Sequence, residues 1–286
     1  MSMLDIKDLL GFKGKTVVIT GAASGMAKCA TELLLSLGAD VYAVDMNEVT
    51  LPVAQSIKGN LAEKAKIDEV VSQLPEKIDI LYMCHGVGLR PNWEKFIQMV
   101  NFVGQRYMAE ALLPRIVDGG AVVFISSSGG YGWQANMANV GGILKTQSFE
   151  EAEAWIDSHL DIFGEGKPDP YQFSKQCLNA YVKSMTRDPK YITRKIRINA
   201  VAPSFTNTPL IKDFNKAVSK DGTDKSGENE MYNLFLKSWN GRAGEPEEMA
   251  YPLVIFGSDI CSYLSGQIIG IDFGMTGELD WKAANA

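Results

Sequence analysis

The sequence predicts an α/β fold in which a single parallel sheet of about seven strands is doubly wound and covered by helices on both faces. Three observations predict it. Short β-branched runs alternate with helical stretches along the whole chain, as in strand–helix–strand units and not in hairpins. The run A-V-V-F-I at 121–125 is apolar without interruption, as expected for a parallel strand buried on both faces. K-T-V-V-I-T at 15–20 leads through a glycine-bearing turn into a helix, then a strand, then an acid at 45. All 286 residues are expected to form one domain.

Taken in order, Lys15–Thr20 is the first strand, and G-A-A-S-G-M-A-K at 21–28 turns it into a helix that runs to Leu37 and ends at Gly38. Val41–Val44 is the second strand, closed by Asp45. This is the order of a Rossmann-type dinucleotide unit: Gly21 and Gly25 let the backbone approach a pyrophosphate, and the N–H groups at the helix start around Ser24 and Met26 receive its charge. Asp45 can accept from the adenosine ribose and repels a 2′-phosphate, so NAD(H) is expected over NADP(H). Ala27 stands where a third glycine is usual.

A weak strand follows from 53, then a polar bend at Gly59 and Asn60, a helix Ala65–Leu74 and a strong strand Ile78–Met83 that ends in Cys84-His85-Gly86. A lone histidine at a strand end without a partner reads as structural. Trp93–Ile116 is expected to be one long helix, with Asn101 inside it either exposed or hydrogen-bonded to something specific. The strand Ala121–Ile125 ends in Ser126-Ser127-Ser128-Gly129-Gly130, at the carboxyl end where such sheets bind ligands.

The block 131–168 is less regular, with an acidic helix Ser148–Leu160 whose Phe149, Ala152, Trp155, Ile156 and Leu160 can form one apolar stripe, followed by a turn-rich exit at 163–168. It is expected to lie on the body or on a partner. Y-Q-F-S-K at 171–175 then places a tyrosine and a lysine one helical turn apart, with Asp169 as cap and Pro170 at the first helical position. A fixed positive charge beside a phenol favours the phenolate, so Tyr171 and Lys175 are a candidate proton-transfer pair. The strand Lys195–Val201 ends in Ala202-Pro203-Ser204, and the basic residues of 190–197 read as a solvated rim. Residues 205–240 form a lid candidate: a helical piece Leu210–Val218, a polar tip Ser219–Asn229 and an aromatic helix Met231–Trp239. Pro246–Phe256 is a helix with an acidic first turn, and Gln267–Asp272 is the last strand.

Net charge −6 and pI near 5.1 argue against a nucleic-acid partner. Scattered Cys29, Cys84, Cys177 and Cys261 and only two histidines suggest neither a disulfide scaffold nor a metal site. The amino terminus does not read as a signal peptide and no apolar run reaches membrane-spanning length, so a cytoplasmic location without a membrane partner is expected.

T-G-A-A-S-G-M-A at 20–27, C-H-G at 84–86, I-S-S at 125–127, Y-Q-F-S-K and P-S-F-T-N-T at 203–208 together resemble the short-chain dehydrogenase/reductases from residue 15 to about 274. The resemblance implies a secondary alcohol–ketone oxidoreductase in which Ser127, Tyr171 and Lys175 carry the catalysis and Asn101 holds a relay water. It implies NAD contacts from Gly21, Ser24, Gly25, Met26, Asp45, Asn60, Leu61, Cys84, Gly86, Tyr171, Lys175, Thr206 and Thr208. Ala27, Cys84, His85 and Ser204 depart from the family pattern, which puts the local turn geometries in doubt. Ser127 and Tyr171 are 44 residues apart, more than the family's usual spacing. That insertion and the flanking motifs resemble the bacterial 3α-hydroxysteroid dehydrogenase/carbonyl reductase branch, in which the insertion alters subunit association; a homodimer or homotetramer is implied.

In the mechanism so implied, Tyr171 exchanges the alcohol proton, Ser127 donates to the substrate oxygen, and Lys175 lowers the phenol pKa and holds the nicotinamide ribose. Trp133, Phe205, Leu210, Phe214, Met231, Phe235 and Trp239 can line an apolar slot for a small apolar alcohol or ketone, with Ser127 at its polar end. They can equally pack the lid onto the body. A hydroxysteroid or bile acid is the expected substrate. The alternatives are a carbonyl or alicyclic alcohol dehydrogenase of broad specificity and a non-enzymatic NAD-binding regulator.

Overall fold

The computed structural model describes residues 5–164, 167 and 169–285, so part of the exit expected at 163–168 lies outside the described residues. The strands are β1 (Thr16–Thr20), β2 (Asp40–Asp45), β3 (Gln55–Lys58), β4 (Ile78–Met83), β5 (Ile116–Ile125), β6 (Arg197–Pro203) and β7 (Ile268–Ile271). They form one seven-stranded sheet in the order β3-β2-β1-β4-β5-β6-β7, with every pair parallel. The chain winds outward from β1 to β3, then returns to β4 and winds the other way. The loops after β1 and β4 therefore diverge to opposite sides and leave a crevice beyond the carboxyl ends of the strands.

Both faces of the sheet are covered because alternate residues of a strand point to opposite sides. Along β4, Leu81 and Met83 join one core and Ile80 and Tyr82 the other, all of them buried. The first core includes the Tyr171 helix (Pro170–Met185), and the second includes the helices Gly25–Ser36 and Pro246–Gly257.

Four expectations change. The long helix is broken into an α segment Glu94–Gln98, a π-helical segment Met99–Gly104 and an α segment Gln105–Leu112; Pro114 then ends the helical run, and β5 begins at Ile116, where helix was expected. A Cβ on Gly104 would collide with the Leu61 carbonyl, so this helix can lie against the chain after β3 only with glycine there. The polar tip is helical: Thr223 caps Asp224–Leu234 by accepting from the Ser226 N–H, and the aromatics beyond it stand on a short 3₁₀ turn, Leu236–Ser238.

The basic stretch before β6 is not a solvated rim throughout. Arg197 is buried and donates to the carbonyls of Phe256, Gly257, Ser258 and Cys261, the first two of which stand in the last turn of a helix. The inserted helix runs Phe149–Asp157, capped by Ser148, and it packs on the body: Phe149, Ala152 and Ile156 are buried, and Trp155 stacks over Phe173 of the Tyr171 helix at 6.2 Å. Leu160 lies past its end and is exposed.

Candidate active site

At one end of the crevice lies the turn after β1. Gly21 and Gly25 both have positive φ, +75° and +57°, which a side chain would strain, and a Cβ on Gly25 would approach the Thr208 side chain at 3.2 Å. Ser24 makes no side-chain cap and the first turn of its helix holds no acid, so that helix start lacks a side-chain acceptor. Asp45 accepts from the Ala23 N–H at 3.0 Å and the Asn47 N–H at 2.8 Å, tying the turn to the end of β2. A narrow glycine turn, open helix-start amides and a carboxylate at the end of β2 fit a dinucleotide. Asn60 is engaged locally, its Oδ1 accepting from the Ala62 N–H at 3.1 Å, and the Leu61 side chain is buried in the core.

At the end of β4 the Thr20 hydroxyl accepts from the backbone N–H groups of Cys84 and His85 and lies 2.8 Å from His85 Nδ1. Burial pushes the His85 imidazole down to about 3, so it stays neutral, as a structural histidine should. Asn101 is fully buried and not exposed: its Oδ1 accepts from the Val87 N–H at 2.8 Å, and its Nδ2 donates to the Val87 carbonyl at 3.0 Å and to Ser174 Oγ at 3.3 Å. The π segment places it there.

Asp169 caps the Tyr171 helix by accepting from the Tyr171 N–H at 2.6 Å and the Gln172 N–H at 3.2 Å. Tyr171 and Ser127 line the same cavity, and Ser127 Oγ accepts from the Gly129 N–H at 3.2 Å. Lys175 is buried and donates from Nζ to the Ile125 carbonyl at 3.0 Å, 5.7 Å from the Tyr171 ring centre.

The lowering of the phenol pKa expected from Lys175 does not dominate in the chain alone. Although the cavity leaves Tyr171 only half-buried by surface, the protein packed around its oxygen pushes it up to about 12; Ser127 opposes this and Asp169 adds to it. Burial likewise pushes the Lys175 ammonium from its usual 10.5 down to about 8. Between these values the unfolded chain binds more protons at this lysine than the folded one, so folding stability gains with rising pH. The penalty is complete below pH 8 and gone above 10.5. Wild type is expected to gain up to about 3 kcal/mol on Lys175→Met across that window, read by urea unfolding at both ends. Parallel stability profiles for the two proteins would remove the buried charge from the account.

A cavity of about 410 Å³ opens on this group. Met26, Cys84, Gly86, Thr206 and Thr208 line it together with Ser127, Tyr171 and Lys175 and with Phe205, Leu210, Phe214, Met231, Phe235 and Trp239. Phe214 meets the Tyr171 ring edge-on with centres 4.8 Å apart, and Phe235 lies between Phe205 and Trp239. Trp133 lies outside this cavity, half-buried against the core beside the Tyr171 helix. The sequence reading missed Val87 and Leu89, Asp169 as a lining residue, and Met275 and Leu279 of the helix Met275–Ala284. The last two are four apart, a spacing that puts them on one helical face and marks the segment as more than a tail. Trp239 donates from Nε1 to Glu278 at 2.7 Å, joining that helix to the segment 205–240. Among the described residues no group of three His, Cys, Asp or Glu is placed to hold a metal, and no helix is long and apolar enough to cross a membrane.

Residues 15–139 match the family model described as short chain dehydrogenase, and residues 156–276 match the one described as enoyl-(acyl carrier protein) reductase. The stretch between the two matches falls in the inserted block. Coniferyl-alcohol dehydrogenase of Pseudomonas sp. (strain HR199 / DSM 7063) is 30% identical over 216 residues, 73% of this chain and 80% of its own. The 3-alpha-hydroxysteroid dehydrogenase/carbonyl reductase of Comamonas testosteroni is 27% identical over 264 residues, 91% of this chain and 95% of its own. The crystal structure of the 3-alpha-hydroxysteroid dehydrogenase from Pseudomonas sp. B-0831 complexed with NADH has the same fold, with a TM-score of 0.73 at 21% identity, covering 93% of this chain and 98% of that one.

Proposed function

The chain belongs to the short-chain dehydrogenase family, and from that premise we propose that it is an alcohol/carbonyl dehydrogenase of broad specificity, interconverting secondary alcohols and ketones with NAD(H). The observation that carries this reading is the largely apolar cavity that Tyr171, Ser127 and Lys175 line together. In oxidation the Tyr171 oxygen, as phenolate, takes the hydroxyl proton; in reduction the phenol returns it to the carbonyl oxygen. Ser127 donates to that same oxygen as negative charge grows on it. Lys175 holds a charge below the phenol, and Asn101 braces the helix and strand ends that carry both groups. The Gly21–Gly25 turn and Asp45 would hold NAD(H), which would accept or supply the hydride.

Breadth is favoured over a single steroid substrate because the relatives are named for unlike compounds: coniferyl alcohol, a 3-alpha-hydroxysteroid or carbonyl compound, and an enoyl-acyl carrier protein. The hydroxysteroid reading stays second, supported by the size of the cavity and its continuous wall of Phe205, Phe214, Phe235 and Trp239. Reduction of a panel of cyclic and aryl ketones and oxosteroids with NADH separates the two. We expect turnover of several neutral ketones with kcat/KM values within about tenfold of one another, since an apolar wall discriminates methylene-sized differences only weakly. Activity confined to one steroid position would replace the broad reading with the narrow one.

A further inference from the structure

We propose that Asp169 makes this cavity select its substrates by charge, accepting neutral and cationic ketones and alcohols and refusing anionic ones. The inference rests on the alcohol–ketone reading of the site and adds the class of compound that the site takes. Among the described residues, Asp169 and Lys175 are the only charged side chains that line the cavity. They are not equivalent. Lys175 is 3% exposed and turned to the Ile125 carbonyl at the cofactor end. Asp169 stands at the entry to the Tyr171 helix with Oδ1 engaged by two backbone N–H groups, while Oδ2 has no protein partner among the described residues. No Lys or Arg among the described residues lies within ion-pair distance of it, and at the rim Arg90 is already taken by Asp213 at 2.9 Å.

The rest of the described wall holds no counter-charge: beside its apolar residues it carries neutral donors such as Ser128, Gln172 and Thr206. Val87, Leu89, Leu210 and Phe214 offer an anion neither a donor nor a counter-charge, and an apolar surround strengthens a fixed charge compared with water. A carboxylate on the substrate would lose its hydration and face Asp169 at short range. An ammonium group there would regain a partner. Burial already pushes the Asp169 carboxyl above its usual range, as expected for a charge that no cation shares.

Three ketones of one shape test the proposal: methyl 4-acetylbenzoate, 4-acetylbenzoate and 4-acetylphenyl-trimethylammonium. Each is reduced with NADH, and each is also titrated into the protein–NADH complex by fluorescence. Asp169→Asn keeps a capping side chain and removes the charge. The cation-to-anion ratio, both of kcat/KM and of affinity, is expected to fall at least about tenfold in Asp169→Asn, and taking the ratio between the two proteins cancels the substituents' own electronic effects. A ratio that stays within about twofold overturns charge selection even if the methyl ester turns over well. If the affinity ratio falls as expected while none of the ketones is reduced, charge selection stands and the dehydrogenase reading falls.

Discussion

Replacing Tyr171 by phenylalanine is expected to lower kcat by about a thousandfold or more while leaving NADH binding intact, because a positioned general acid or base contributes on that order. The substitution removes one oxygen and nothing of the ring packing against Phe214. KM for a neutral ketone should therefore change far less than kcat, the mark of an interaction made mainly in the transition state. Steady-state kinetics and NADH fluorescence titration on the same preparation read both. Residual turnover within about tenfold of wild type would take the proton-transfer role away from Tyr171, and loss of NADH binding would show a folding defect instead. A protein that binds NADH but reduces nothing, with or without Tyr171, would return the NAD-binding regulator as the better reading.

The second large effect concerns Asp45. Its carboxylate holds the Ala23 and Asn47 amides, so Asp45→Ala would disturb the turn as well as the charge. Asparagine removes the charge and keeps one of the two acceptor oxygens, so it disturbs the turn less than alanine does. Asp45→Asn is expected to raise the NADPH-to-NADH ratio of kcat/KM by about a hundredfold, since placing like charges together costs several kcal/mol and each 1.4 kcal/mol is tenfold. A ratio that does not move would mean that something other than Asp45 discriminates at the 2′ position.

Much of this was legible in the chain because the signals are local. β1, its turn, the next helix and Asp45 lie within thirty-one consecutive positions, 15–45, and each step constrains the next. Tyr171 and Lys175 are legible for the same reason, since helical spacing sets their separation. What could not be read depends on which distant surfaces meet. Lys175 carries its tell-tale spacing in sequence, but its contact with the Ile125 carbonyl and its burial depend on how the helix seats against β5, so the direction of its pKa was not available. Asp169 read as a helix cap, which it is; only the fold, by bringing Leu210 and Phe214 to the same space, makes it a cavity residue as well. Trp133 shows the reverse, an aromatic in the inserted block that packs on the core instead of entering the cavity.

The π-helical segment Met99–Gly104 has a meaning in units of whole residues. Such a segment holds one residue more than an α-helix would place in the same rise, and every position after it is turned by about 100° relative to the unbroken helix. Asn101 clasps both the N–H and the carbonyl of Val87 from within that surplus, while Gly104 rests on Leu61 at its end. The extra residue sets which side of this helix faces Val87 and Ser174. Shortening the chain there by one residue, with every side chain named above retained, would still turn Asn101 away from Val87 and leave the site assembled from correct parts in the wrong register.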